Sequence, residues 1–173
     1  MGEAFVLFDR DGTLIEHVHY LVNSDLVQFK DDLQTSLLLL KDSGFKFGVI
    51  SNQSVIARGL ATVSDVERIN TKIMKFLSPI GIEFDFVYYC PHLPNSGCEC
   101  RKPGLALGLK AVSEHNLEPS QSFMVGDQES DVLFGRHLGC KTVQVRGDAD
   151  KSQYADYYSE SLEEAARWIL SEK

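Results

Sequence analysis

The 173-residue chain is predicted to be an α/β protein built on one doubly wound, mostly parallel sheet. Three observations predict it. Short apolar runs alternate with longer stretches of helical spacing. Several runs stop abruptly at polar or acidic residues: Phe5-Val6-Leu7-Phe8 at Asp9, Phe45 to Ile50 at Ser51, and Ser122 to Val125 at Gly126-Asp127. No repeat, low-complexity tract or interdomain linker breaks the order, so a single domain over residues 1–173 is expected.

Phe5 to Phe8, four apolar residues bounded by turn formers, suits a strand buried on both faces. Asp9 and Asp11 then emerge together at its carboxyl end, where open α/β sheets place their ligands. Like charges this close call for a cation or a shared proton. One carboxylate is suited to act as nucleophile, the other as proton donor, and the two together to bind Mg²⁺. Gly12 lets the chain turn away. A solvated Asp-x-Asp-Gly turn is the plainer alternative.

Ile15 to Lys30 reads as a loop over this turn, and His17 and His19 in it either touch a ligand or are solvated. Asp31 or Asp32 can cap a helix carrying Leu33, Leu37 and Leu40 and ended by Gly44. Phe45 to Ile50 is the second strand. Ser51 at its end can donate a hydroxyl to a phosphoryl oxygen or simply cap the next element. Arg58, in the loop beyond, can hold an anionic group of a ligand or lie in solvent. Ser64-x-x-Glu67 reads as a capping box opening a helix with the apolar stripe Val66, Ile69, Ile73, Leu77 and Ile80.

Phe84 to Tyr89 forms a third strand that runs into Cys90-Pro91-His92, five further residues, and Cys98-Glu99-Cys100. Cys90, His92, Cys98 and Cys100 can supply four ligands for a tetrahedral Zn²⁺, the plainer alternative being three unrelated free cysteines. With no position left for water, that site is structural and ties down a loop over about residues 90–102. Arg101 and Lys102 follow at once, so the metal would fix two cations near the acidic turn. Pro103 suits the first turn of a helix carrying Leu105, Leu109 and Val112. Asp127, again at a strand end, can complete a Mg²⁺ shell with Asp9, while Asp131 orients neighbours or caps the helix running to Leu138. Cys140 to Val145 is the last predicted strand, with Cys140 in the core. Ser161-x-x-Glu164 caps a final helix through Leu170.

Composition narrows the function. A net charge of −8 argues against nonspecific binding to nucleic acid or anionic membrane. No apolar stretch approaches membrane-spanning length, and the first strand is expected to leave no room for a signal peptide, so a cytoplasmic monomer acting on a small molecule is expected.

The order Asp9-x-Asp11-Gly12-Thr13, a serine after the second strand, a lysine before the next helix, and Gly126-Asp127-x-x-x-Asp131 resembles the four motifs of the haloacid dehalogenase-like phosphatase superfamily. The resemblance covers about Phe5 to Val145 and implies a Rossmann-like core. The missing cap domain and the zinc loop are similar to its small zinc-loop branch, which includes phosphatases for a heptose bisphosphate and for histidinol phosphate. It implies a Mg²⁺-dependent phosphomonoesterase: Asp9 is the nucleophile, Asp11 the acid and base, and Asp9, the Asp11 backbone carbonyl and Asp127 hold Mg²⁺. Ser51 and Lys102 would bind the transferring phosphoryl group, Asn52, Arg58 and Arg101 the rest of the substrate, and Thr13 would steady the turn.

Ser51-Asn52-Gln53-Ser54-x-Ile56-Ala57-Arg58-Gly59 resembles the corresponding loop of the heptose bisphosphate phosphatases, which implies that Arg58 meets a second phosphate; the five-residue gap between His92 and Cys98 is similar to that of the histidinol-phosphate phosphatases. Val55 and Gln128 depart from the branch, which has glycine and a basic residue there. Two readings of another class are a phospho-accepting receiver domain and an inactive zinc-stabilised binding protein.

Overall fold

The computed structural model describes residues 2–173; Met1 lies outside the described residues. Six parallel strands form one sheet in the order β3-β2-β1-β4-β5-β6. In chain order these are β1 (Phe5–Phe8), β2 (Lys46–Asn52), β3 (Phe86–Cys90), β4 (Phe123–Gly126), β5 (Lys141–Val145) and β6 (Tyr157–Ser159). The helices are α1 (Leu33–Asp42), α2 (Val63–Leu77), α3 (Ala106–His115), α4 (Glu129–Leu138) and α5 (Leu162–Ser171).

The apolar run of β1 makes it the middle of the molecule. Its four residues are fully buried, and they alternate between the two cores. Val6 and Phe8 join one cluster with Leu37 of α1, Ile69 of α2 and Ile169 of α5; Phe5 and Leu7 join the other with Ala111 of α3 and Phe134 of α4. Helices thus cover both faces, as parallel sheets require. β1 pairs with β2 on one side and β4 on the other, and the winding reverses between β1 and β4. A crevice at the carboxyl ends of such strands is the expected ligand position.

Several local expectations need correction. The capping box of α2 is Thr62-x-x-Asp65, not Ser64-x-x-Glu67: Thr62 Oγ1 accepts from Asp65 N and Asp65 Oδ2 accepts from Thr62 N at 2.8 Å. Asp65 takes the place of the usual Glu or Gln, and α2 already begins at Val63, which leaves Ser64 inside the helix where it cannot cap. Asp32 occupies the N-cap of α1, but its carboxylate accepts from Glu163 N of α5 instead of capping. Pro103 follows a cis bond in a turn, and α3 begins only at Ala106. β6 is a three-residue edge strand too short for its alternation to stand out. Ser161 does cap α5, accepting from Glu164 N.

Candidate active site

Gly12 turns the chain at φ +82°, directly after β1 has delivered Asp9, Arg10 and Asp11 to the sheet's edge. A Cβ there would collide with the Asp127 carboxylate, so the turn packs against the end of β4 as only glycine allows. Asp9, Asp11, Asn52, Arg101, Lys102, Asp127, Gln128, Ser130 and Asp131 line a cleft of about 430 Å³, with His17 from the loop above.

Lys102 is its electrostatic centre. The ammonium lies 2.8 Å from Asp9 Oδ1 and 2.6 Å from Asp131 Oδ1, and donates to the carbonyl of Ile50 at 2.6 Å. Burial works to discharge this lysine, but Asp131 and Asp9 outweigh it and hold its pKa above the usual lysine range. Burial pushes Asp9 up to about 7, with Asp131 and Asp11 adding to the effect and Lys102 opposing it. Asp127 is pushed up to about 6 by burial and by the charge of Asp9. Asp131 is likewise raised by burial against the pull of Lys102.

Carboxylate oxygens of Asp9, Asp127 and Asp131 lie within 4.8 Å of one another, a donor set suited to a hard divalent cation. Asp131 already spends Oδ1 on Lys102 and Oδ2 on the Gln128 N–H, which makes it the N3 partner of the α4 capping box. Asp127 accepts from Gln128 Nε2 through Oδ2, while Oδ1 is buried with no hydrogen-bond partner among the described residues. Such an orphaned oxygen costs stability unless something binds it. It fits a cation between Asp127 and Asp9.

A second donor cluster stands beside the cleft. The ligand atoms of Cys90, His92, Cys98 and Cys100 also lie within 4.8 Å of one another, with Cys90 Sγ 3.6 Å from Cys98 Sγ and His92 Nδ1 3.1 Å from Cys100 Sγ. Bonds of about 2.3 Å to zinc separate tetrahedral thiolates by somewhat under 4 Å, so the four atoms fit that ion. Cys140, by contrast, is buried core, and burial pushes its thiol up to about 12.

The remaining residues singled out by sequence divide. Asn52 clamps the lysine's backbone from both sides, accepting from Lys102 N at 2.9 Å and donating to Lys102 O at 3.2 Å. Arg101 lines the cleft and donates to the carbonyl of His92. Ser51 is buried at the end of β2 and accepts from Gln53 Nε2; it is not among the residues lining the cleft. Arg58 is also outside the lining, in a neighbouring groove with His92 and Leu93, its guanidinium over the Tyr20 ring. Thr13 is buried in the turn, its hydroxyl without a hydrogen-bond partner among the described residues. His19 packs on Tyr20.

Sequence reasoning missed Arg10, Gln53 and Asn70. All three are buried and all connect to Asp11 directly or through one another. The available signal was Asn70 itself, a polar residue on the apolar stripe of α2.

Fold and cleft together define a doubly wound α/β protein with a carboxylate-and-lysine site at its central strand ends. A family model described as HAD-hydrolase-like matches residues 99–166. The chain is 36% identical over 150 residues to a D-glycero-beta-D-manno-heptose-1,7-bisphosphate 7-phosphatase of Haemophilus ducreyi, covering 82% of each chain. It is 35% identical over 144 residues to the histidine biosynthesis bifunctional protein HisB of Campylobacter jejuni, covering 82% of this chain but only 41% of that relative's length. The crystal structure of D,D-heptose 1,7-bisphosphate phosphatase from B. bronchiseptica, complexed with magnesium and phosphate, superposes with a TM-score of 0.88 at 23% identity over 98% of this chain and 99% of that one. The chain belongs to the haloacid dehalogenase-like hydrolase family.

Proposed function

We propose that the chain is a Mg²⁺-dependent phosphomonoesterase that removes the 7-phosphate of D-glycero-D-manno-heptose 1,7-bisphosphate, in the synthesis of surface-glycan precursors. The observation that carries the reading is the Lys102 ammonium held between Asp9 and Asp131 in the cleft, beside the unpartnered Asp127 oxygen. The heptose-phosphatase relatives support the substrate, since they match over most of their own length.

A carboxylate oxygen of Asp9 attacks phosphorus in line, and the bond from phosphorus to the substrate's 7-oxygen breaks. Asp11 gives its proton to that departing oxygen and then takes one from the water that cleaves the aspartyl-phosphate. Lys102 and Ser51 bind the transferring phosphoryl oxygens, with Lys102 as a compact point charge. Asn52, Arg58 and Arg101 hold the rest of the substrate, Arg58 from the loop flanking the cleft, and Thr13 steadies the turn. The Asp9 and Asp127 side chains and the Asp11 backbone carbonyl would hold Mg²⁺, whose charge, when bound, offsets that of the phosphate and lets an anionic nucleophile approach. Cys90, His92, Cys98 and Cys100 would hold Zn²⁺ as a structural ion that fixes Arg101 and Lys102. Among the described residues no helix is long and apolar enough to cross a membrane. We read the chain as one cytoplasmic domain that acts as a monomer on a small phosphorylated metabolite, without nucleic acid or membrane.

Histidinol phosphate is the second reading, favoured by the short His92–Cys98 spacing and the HisB relatives. Phosphate release from the two compounds, side by side with Mg²⁺, separates them. A large kcat/KM preference for the bisphosphate is expected. A preference for histidinol phosphate would assign the short zinc loop as the specificity element and leave Arg58 without a phosphate to hold.

A further inference from the structure

Arg10, which stands between Asp9 and Asp11 in the sequence, is among the largest fully buried side chains. Its Nε lies 3.0 Å from Asp11 Oδ2 and its Nη2 3.2 Å from Asp11 Oδ1, a two-pronged grip on one carboxylate. The rest of the guanidinium is anchored elsewhere. Nη2 also donates to Gln53 Oε1 at 2.9 Å, and Nη1 donates to Asn70 Oδ1 at 3.0 Å. Gln53 closes the ring by donating from Nε2 to Asp11 Oδ2 at 2.8 Å. Asn70 sits on the buried face of α2 between Ile69 and Ile73, where an apolar residue would fit the stripe. A buried amide there needs a partner, and Arg10 is the one it has in hand.

We infer that Asn70 is a positioning residue for the proton-transfer step: acting through Arg10, with Gln53 as second strut, it sets the direction of the Asp11 carboxylate at the cleft. The inference rests on the phosphatase reading, in which Asp11 protonates the leaving oxygen as the Asp9–phosphorus bond forms. Arg10 has a fixed, planar fork, so losing its Nη1 anchor lets the whole fork turn and carries the Asp11 carboxylate with it. Among the described residues no hydrogen bond or ion pair joins Asn70 to Asp9, Lys102 or Asp127, so their geometry should be kept when Asn70 is replaced.

The test compares leaving groups. Asn70→Leu, with Asn70→Ala should the first not fold, is assayed with heptose 1,7-bisphosphate, whose alkoxide needs a proton, and with p-nitrophenyl phosphate, whose phenolate does not. General acid catalysis contributes about 10²–10⁴-fold, and misdirection forfeits part of it, so kcat/KM for the alkyl phosphate should drop about tenfold or more. The aryl phosphate should lose less than about twofold by the same reasoning. Asn70→Asp, which keeps an acceptor for Nη1, should lie nearer the wild type. Equal losses on both substrates, or none, would overturn the inference while leaving the phosphatase reading intact. A wild-type protein inert toward both phosphates would overturn the reading and this inference with it.

Discussion

At the scale of single residues the site is a set of charges that the fold holds at some cost. Asp9 is the clearest case. Its carboxyl is raised from 3.8 to about 7, chiefly by burial, so between about pH 4 and 7 the folded chain holds a proton there that the unfolded chain has released. Stability from this group is therefore intact below about pH 4 and is lost as pH rises toward 7. Asp9→Asn removes the ionisation and leaves Lys102 paired with Asp131. The variant should melt higher than wild type at pH 8 in chelator, with the difference closing toward pH 4, and should release no phosphate; normal turnover would rule Asp9 out as nucleophile. Lys102→Met should act oppositely. It strands two buried carboxylates and should cost about 3–5 kcal/mol in denaturant titrations at pH 8, less at pH 5, where the carboxylates can protonate. Both effects come from one ion cluster, so the double variant should not be additive.

At the scale of elements, the loop carrying the cysteine–histidine cluster links two parts of the site. Residues 91–101 contain no helix or strand, yet they end at Lys102, whose backbone is gripped on both sides by Asn52 at the end of β2. The four clustered donors are spread along this segment from Cys90 to Cys100, and Asn52 holds the residue that follows it. Removing zinc with a strong chelator should raise amide exchange across residues 90–102 and reduce activity at saturating Mg²⁺. Full activity in verified zinc-free protein would make the loop dispensable. Grouping was legible where residue types are rare and closely spaced: Asp9, Lys102 and Asp127, singled out from the chain, line one cleft, and Cys90, His92, Cys98 and Cys100 form one cluster. What stayed illegible depends on partners distant in sequence. Arg10 and Asn70 lie 60 residues apart, and nothing in either segment announces the other. Thr62 and Ser64 both open plausible capping boxes, and only the observed start of α2 decides between them. β6 acquires its strand character from β5 beside it more than from its own three residues.

At the scale of the whole molecule, the sheet order makes the cleft a stability element. The winding reverses between β1 and β4, and the loops after those strands supply Asp9 and Asp127 from elements that pair directly in the sheet. A cation shared by the two aspartates would bridge the middle of the fold, replacing carboxylate repulsion with a common partner and satisfying the buried Asp127 Oδ1. Binding confined to the folded state adds RT ln(1 + [L]/Kd), about 2.7 kcal/mol at a hundredfold excess over the dissociation constant. For a chain of this length that corresponds to a rise in Tm on the order of 5–10 °C. Titrating Mg²⁺ into zinc-loaded protein should show that rise. In Asp127→Asn, the apparent dissociation constant should move up at least tenfold, while the Tm without Mg²⁺ holds or increases, because a buried, raised carboxyl has been replaced by a neutral amide. If Asp127→Asn kept the full Mg²⁺ response, the cation would have to be held without the β4 carboxylate, and the strand ends would not act together.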